Sequence, residues 1–377
     1  MRLAFTSGGF VATVVAMSAI GGGVSHASPG RNAVCSVPST AYPTIQSAVN
    51  ATACRTVKVA PGSFTENVAI ARSLTLNGAK AGQDARTRRG SGESALTGTI
   101  TISANDVTVD GFTVNGPPGG GTAALVMQNG NSGETIQNTV INNPGRAASI
   151  TTSRTTFRRN LVKNTSTASD GFQANSTPVR DVTIVENVFT GPVPSNYNAD
   201  ITFIEGNANL IVSGNKSTAG GTLVALFKTT GATISGNTVT GNGSSSAIYV
   251  GGGNSQVVVS GNTISSSASG VKLANDFGVG TNSAVSITGN TLRNNQYGVN
   301  VAAASGTVKI NRNNLTGNSQ YGVFNNPASG AAADATCNWW GAITGPGAVA
   351  AGRGDKVSSG VTYRPWLRLP GLTVLCR

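Results

Sequence analysis

Residues 232–243 read ATISGNTVTGNG, and shorter versions follow as VVVSGNTIS at 257–265 and VSITGNTLR at 285–293. The shared unit is an apolar residue, two intervening residues, Asn, one more residue and a second apolar residue. Carried along the chain, the Asn slot falls at Asn160, Asn187, Asn215, Asn237, Asn262, Asn290, Asn313 and Asn338, at intervals of 27, 28, 22, 25, 28, 23 and 25 residues. Three positions earlier stand Phe157, Ile184, Val212, Ile234, Val259, Ile287 and Ile310; two positions later stand Val162, Phe189, Val239, Ile264, Leu292, Leu315 and Trp340, with Ser217 the exception. Two earlier units, IQNTVI at 136–141 and VDGFTV at 109–114, put Thr139 and Phe112 in the slot. A second strand recurs in each period, as AIYV at 247–250, GVKL at 270–273, GVNV at 298–301 and GVF at 322–324.

An all-strand repeat of this length is a solenoid; a propeller blade needs about 40 residues. The pattern predicts an all-β, right-handed parallel β-helix, a single-stranded solenoid of roughly eleven coils, each rising about 4.8 Å. Stacked coils place the asparagines above one another. Each amide then bonds backbone at its turn and the next amide, where an unpaired buried group would cost about 1–3 kcal/mol. The repeat is therefore read as structural rather than as a row of ligand-binding amides.

The rest of the composition agrees. Gly supplies 50 of 377 residues and charged side chains only 11%, with almost no helical stripe of Leu, Glu, Lys and Ala. Residues 1–27, with Arg2, an apolar run at 10–20 and SHA ending at Ala27, read as a cleaved signal peptide too short and too polar for a membrane span. No later stretch reads as a transmembrane segment. An exported chain with four cysteines predicts two local disulfides, Cys35 with Cys54 and Cys337 with Cys376. Without CxxC spacing a thiolate metal site is the poorer reading. The net charge of +12 points to an acidic partner, and the lack of a basic stripe interleaved with aromatics argues against nucleic acid.

The ends carry a resemblance. Residues 42–78, YPTIQSAVNATACRTVKVAPGSFTENVAIARSLTLNG, resemble the opening of the pectin-lyase-like β-helix superfamily; residues 335–366, ATCNWWGAITGPG…VTYRPW, resemble the closing segment of secreted bacterial right-handed β-helix proteins. The resemblance implies a short N-terminal helix plugging the first coil, with Ile45, Ala48, Val49 and Ala53 on its apolar face and Pro43 in its first turn. It also implies a C-terminal cap using Trp339, Trp340 and Trp366, the chain's three tryptophans. The expected organisation is signal peptide 1–27, N-terminal cap 28–60, coils 61–334 and C-terminal cap 335–377.

The superfamily holds lyases, hydrolases, esterases, epimerases and inert scaffolds, so activity must come from residues. The only histidine, His26, lies in the leader. The Asp-Asp and Gly-His-Gly motifs of polygalacturonases and the Gln-Asp-Thr and Asp-Phe-Ile-Phe-Gly motifs of pectin methylesterases are missing. A pectate-type lyase needs carboxylates that hold calcium and an Arg or Lys base. Five of the 14 acidic residues lie at 170–205: Asp170, Asp181, Glu186, Asp200 and Glu205. Asp170 in SDGF and Asp200 in ADIT precede the second strands of consecutive coils, so in register they are expected about 5 Å apart. Asp170, Asp200 and Glu205 are thus the catalytic candidates, with Ca²⁺ on Asp170 and Asp200. Arg154, Arg158, Lys163 and Arg180 are the candidate cations. The competing reading makes these ordinary turn residues, with Glu186 pairing with Arg159 on the surface.

The loop KAGQDARTRRGSGES at 80–94 is basic enough to grip a polyanion, and RGD at 353–355 matches a cell-adhesion tripeptide. The first functional expectation is a secreted or cell-surface monomer that binds extended anionic polysaccharide or the cell envelope without established catalysis. The alternatives are a calcium-dependent polysaccharide lyase and a structural or adhesive surface protein.

Overall fold

The computed structural model describes residues 33–371 and 376, apart from 120–121, 144, 166–169 and 192–198. The expected signal peptide lies outside the described residues. The chain is a right-handed parallel β-solenoid of about thirteen turns. Its three sheets, named A, B and C in the order a coil visits them, hold fourteen, eleven and thirteen strands. One coil runs Thr230–Ser235 in sheet A, Thr238–Gly241 in sheet B and Ser246–Gly252 in sheet C. The count exceeds the expected eleven because the first turns, built on Val57 and Leu76, carry no recognisable slot to be counted.

Register is set by the apolar columns. In sheet A, Ile234 stacks on Val212 and Val259; in sheet B, Val239 on Ser217 and Ile264; in sheet C, Ile248 on Val224 and Val271. All are buried, and Phe157, Phe172 and Phe189, one from each sheet, pack together in the interior with ring centroids 4.2 and 5.4 Å apart.

The asparagine ladder runs along the turn between sheets A and B. Each Oδ1 accepts from the backbone N–H of the Asn one coil earlier, at 2.8–3.0 Å from Asn160 through Asn338. Each Nδ2 donates to the carbonyl three residues before that Asn, as Asn187 does to Phe157 and Asn262 to Ile234. The left-handed residue of the turn is the one preceding Asn: Gly214, Gly236, Gly261 and Gly289 at φ 62–67°, and Arg159 and Glu186 at 54° and 55°. Where the slot holds Phe112 and Thr139, Arg89 reaches in from the loop. Its guanidinium donates to the carbonyls of Asn138 (2.6 Å) and Phe112 (3.4 Å).

Two shorter ladders stand at the other turns. Asn254 and Asn282 link coils between sheets C and A. Asn295 and Asn318 do so between B and C, and there the last rung is a carboxylate. Asp355 accepts from the N–H groups of Gly317 (2.8 Å) and Asn318 (3.1 Å) and from Asn318 Nδ2 (2.6 Å).

At the N-terminal end a helix, Ile45–Asn50, is capped by Thr44, with Ile45, Ala48 and Val49 buried. Pro43 precedes the cap, so it lies outside the helix rather than in its first turn, and Ala53 lies beyond the helix end. The Glu66 carboxylate accepts from the first two helical N–H groups, where the backbone dipole favours negative charge. At the other end Trp340 is fully buried under Gly322. Disulfides join Cys35 to Cys54 and Cys337 to Cys376. No helix among the described residues is long and apolar enough to cross a membrane.

Candidate functional site

Asp170 and Asp200 do not meet. Phe172 pairs with Ile201, which sets Gly171, not Asp170, beside Asp200. Apolar core residues fix the register, and a one-residue offset sends the two side chains to different places. A Cβ on Gly171 would lie 1.9 Å from the Asp200 carbonyl oxygen, so this coil contact requires glycine.

Asp200 points into the core and is fully buried. Its partner is Ser217, the one exception in the apolar column, whose hydroxyl donates to Oδ2 at 2.6 Å, while Oδ1 has no hydrogen-bond partner. Burial pushes the carboxyl up to about 7, against the lowering effect of the serine. This interior acid cannot touch a substrate.

Asp170 sits at the turn between sheets B and C, largely buried, with Arg146 of the preceding coil 3.4 Å away. Burial raises its pKa and Arg146 opposes the rise. Glu205 is half exposed and lies 3.6 Å from Lys228. The three catalytic candidates are therefore a core acid, an acid held by arginine and a surface ion pair. They do not fit calcium, and among the described residues no three His, Cys, Asp or Glu side chains gather.

Nor do the candidate cations converge there. Arg154 bonds Ser132, Arg158 bonds Gln137 Oε1 at 2.6 Å, and Lys163 is exposed on sheet B. Arg180 bridges the backbone to Ala208 before sheet A. Glu186 pairs with Arg159 at 2.8 Å on the surface, as the competing reading had it.

Two further expectations change. The 80–94 loop is not a free basic grip: Lys80 donates to the carbonyls of Arg89 and Ser91, Arg86 pairs with Asp84, and Arg89 is buried in the turn. In the RGD tripeptide Asp355 is the ladder's last rung, so its carboxylate faces the solenoid, not a receptor.

What the structure displays instead is the outer face of sheet C. Its central column runs Ser149, Gln173, Thr202, Ala225, Tyr249, Lys272, Asn300 and Phe324. The middle is roofed: Ala225, Phe227, Tyr249 and Ala274 form a small second core under the turn Asp276–Gly278. In that turn Phe277 takes φ 57°, a strained conformation for a bulky residue, and is 71% exposed with its ring 5.8 Å from Phe227. Tyr249 donates its hydroxyl to Asp276, and the Lys272 ammonium lies 5.4 Å from the Tyr249 ring.

Beyond the roof the face opens into an aromatic platform. Tyr297 and Tyr321, in register on adjacent coils, are nearly parallel at 8° with centroids 6.2 Å apart. Phe324 lies 5.7 Å from the first and 5.2 Å from the second. All three rings are partly exposed, and Asn300, opposite Phe324 on the adjacent coil, has a buried Oδ1 without a hydrogen-bond partner. The available signal was YGV at 297–299 and again at 321–323, read only as strand.

A family model described as a right handed beta helix region matches residues 195–334. No match among curated protein sequences reaches significance. Among solved structures, the PL6 family alginate lyase AlyGC aligns with a TM-score of 0.58 at 14% identity, over 82% of this chain and 48% of that one. The catalytic domain of a GH87 alpha-1,3-glucanase, solved with tetrasaccharides, aligns at TM-score 0.48 and 13% identity, over 78% and 68%. The A-module of the Azotobacter vinelandii mannuronan C-5 epimerase AlgE6 aligns at 0.33 and 16%, over 82% and 91%. The likeness to the alginate lyase is one of fold, and this chain spans about half of that enzyme's length.

Proposed function

We propose that this is an exported protein that binds extended polysaccharide across the outer face of sheet C. The carrying observation is the Tyr297–Tyr321–Phe324 platform. Sugar rings present C–H faces that stack on aromatic rings. Coils repeating along one axis give an extended chain successive equivalent contacts. Lys272 beside the platform adds attraction for acidic units, in keeping with the net charge of +12. The shared fold of an alginate lyase supports a polysaccharide ligand. The interior position of Asp200 speaks against the calcium lyase, and the engagement of the Asp355 carboxylate by Gly317 and Asn318 against adhesion through the tripeptide.

The test is a glycan array followed by isothermal titration with the best-bound glycan. The double variant Tyr297→Ala, Tyr321→Ala, which removes two partly exposed rings, is expected to lose at least tenfold in affinity while melting as a folded protein. Unchanged affinity in that variant, or an array without polysaccharide hits, overturns the reading.

A further inference from the structure

A second feature lies at the C-terminal end, is built from residues other than those of the sheet C platform, and stands without it. Tyr363, Arg364, Pro365, Trp366 and Arg368 follow the last strand of sheet A, Val361–Thr362. Three contacts fasten this segment to the final coil. Cys337 N–H donates to the Pro365 carbonyl at 2.7 Å, Leu367 N–H to Asn338 at 3.0 Å, and the Trp366 indole N–H to Ile343 at 3.2 Å. The Cys337–Cys376 disulfide adds a covalent tie. The indole lies over Gly345, where a Cβ would come within 2.4 Å of the ring.

On this fixed base the Arg364 guanidinium carbon sits 5.2 Å from the Trp366 ring and 5.8 Å from the Tyr363 ring. Arg364, Pro365, Trp366 and Arg368 line one shallow recess. Arg364 and Arg368 are both exposed, and neither pairs with a carboxylate among the described residues. A capping role explains a buried tryptophan, as at Trp340. It does not explain two guanidinium groups gathered without an acid around a partly exposed indole.

We propose that this recess binds the uronate units of an acidic polysaccharide, with a sugar ring against Trp366 and its carboxylate on the forks of Arg364 and Arg368. Guanidinium groups match carboxylates bidentately and stack on aromatic faces, so the recess offers both halves of a uronate's surface. Arg364 is already held against the rings, so less freedom is lost when it binds.

The experiment titrates the protein with the trisaccharides of galacturonate, mannuronate and guluronate, and with neutral galactotriose, following tryptophan fluorescence and calorimetry. At least one uronate trimer is expected to bind, to shift the emission and to weaken as salt rises, while galactotriose does not. Arg364→Gln with Arg368→Gln, both at the surface, should lower that affinity at least tenfold at unchanged melting temperature. Trp366→Phe should remove the emission change and retain part of the binding. Tyr297→Ala with Tyr321→Ala should leave this signal intact, which separates failure here from failure of the platform. Binding by no uronate, or binding indifferent to both arginines, overturns the proposal. So does an arginine-dependent preference for uridine monophosphate, which would indicate a nucleotide instead.

Discussion

Asn262→Leu removes one rung from the middle of the main ladder. Asn262 Oδ1 is the hydrogen-bond acceptor of the Asn237 N–H at 2.9 Å, and it also receives Asn237 Nδ2 at 2.9 Å. Its own Nδ2 donates to the Ile234 carbonyl and to Asn290 Oδ1, each at 2.9 Å. In the variant Asn237 Nδ2 keeps the Val212 carbonyl and Asn290 Oδ1 keeps the Asn262 N–H. The Asn237 N–H is left buried and unpaired, which costs about 1–3 kcal/mol. A branched chain forced into this closed turn adds about 1–3 kcal/mol of strain. Against an unfolding entropy of roughly 0.7 kcal/mol/K for a cooperative unit of this size, the sum of about 2–6 kcal/mol lowers Tm by about 3–9 °C. Thermal melts by circular dichroism, with calorimetry to check two-state behaviour, read this directly. Thr263→Val, one residue on and exposed, is the control and should stay within about 0.5 kcal/mol of the parent. If Asn262→Leu melts within about 1 °C of the parent, the amide is not satisfying buried backbone and the structural account of the repeat is refuted.

The Asp200 carboxyl, raised to about 7 by burial, makes the folded state hold a proton that the unfolded state releases near its ordinary value of 3.8. Stability should therefore be full below about pH 4, fall as pH rises to about 7 and level off above, by up to about 4 kcal/mol in all. Asp200→Asn should flatten most of that slope in guanidinium titrations at pH 5 and pH 7.5; an unaltered slope would place the proton elsewhere, with Asp170 and Asp355, also raised by burial, the first alternatives. Asp355→Ala should cost about 2–4 kcal/mol, since three donors lose a charged acceptor, whereas Arg353→Ala should be neutral; chemical denaturation of both separates a ladder rung from a displayed tripeptide. Arg89→Ala should cost about 2–4 kcal/mol by stripping the Asn138 and Phe112 carbonyls, with earlier proteolysis of the 80–94 loop as a second readout.

The fold was legible because a solenoid writes its packing as a period. Each inward column needs an apolar residue every coil, and the turn between sheets A and B needs an amide beside it, so apolar residue and Asn recur together. The other two ladders escaped notice because their rungs lack that frame: Asn254 follows a run of glycines, and the series Asn295, Asn318 ends in Asp355, a different residue type. The candidate site was misread for a related reason. Aligning SDGF with ADIT on their acids seems natural when carboxylates are sought, but an acid at a turn constrains nothing about the core. Phe172 and Ile201 do, because each must fill the same layer, and matching them slides the acids apart by one position. Ser217 held the remaining clue. A hydroxyl where every other coil buries an apolar side chain needs a polar partner inside the solenoid, and the residue able to supply it from the neighbouring corner is Asp200. Read that way, the break in the apolar column marks an interior acid. The ligand-facing residues must then be sought where side chains leave the core, on the outward column that ends in Lys272, Asn300 and Phe324.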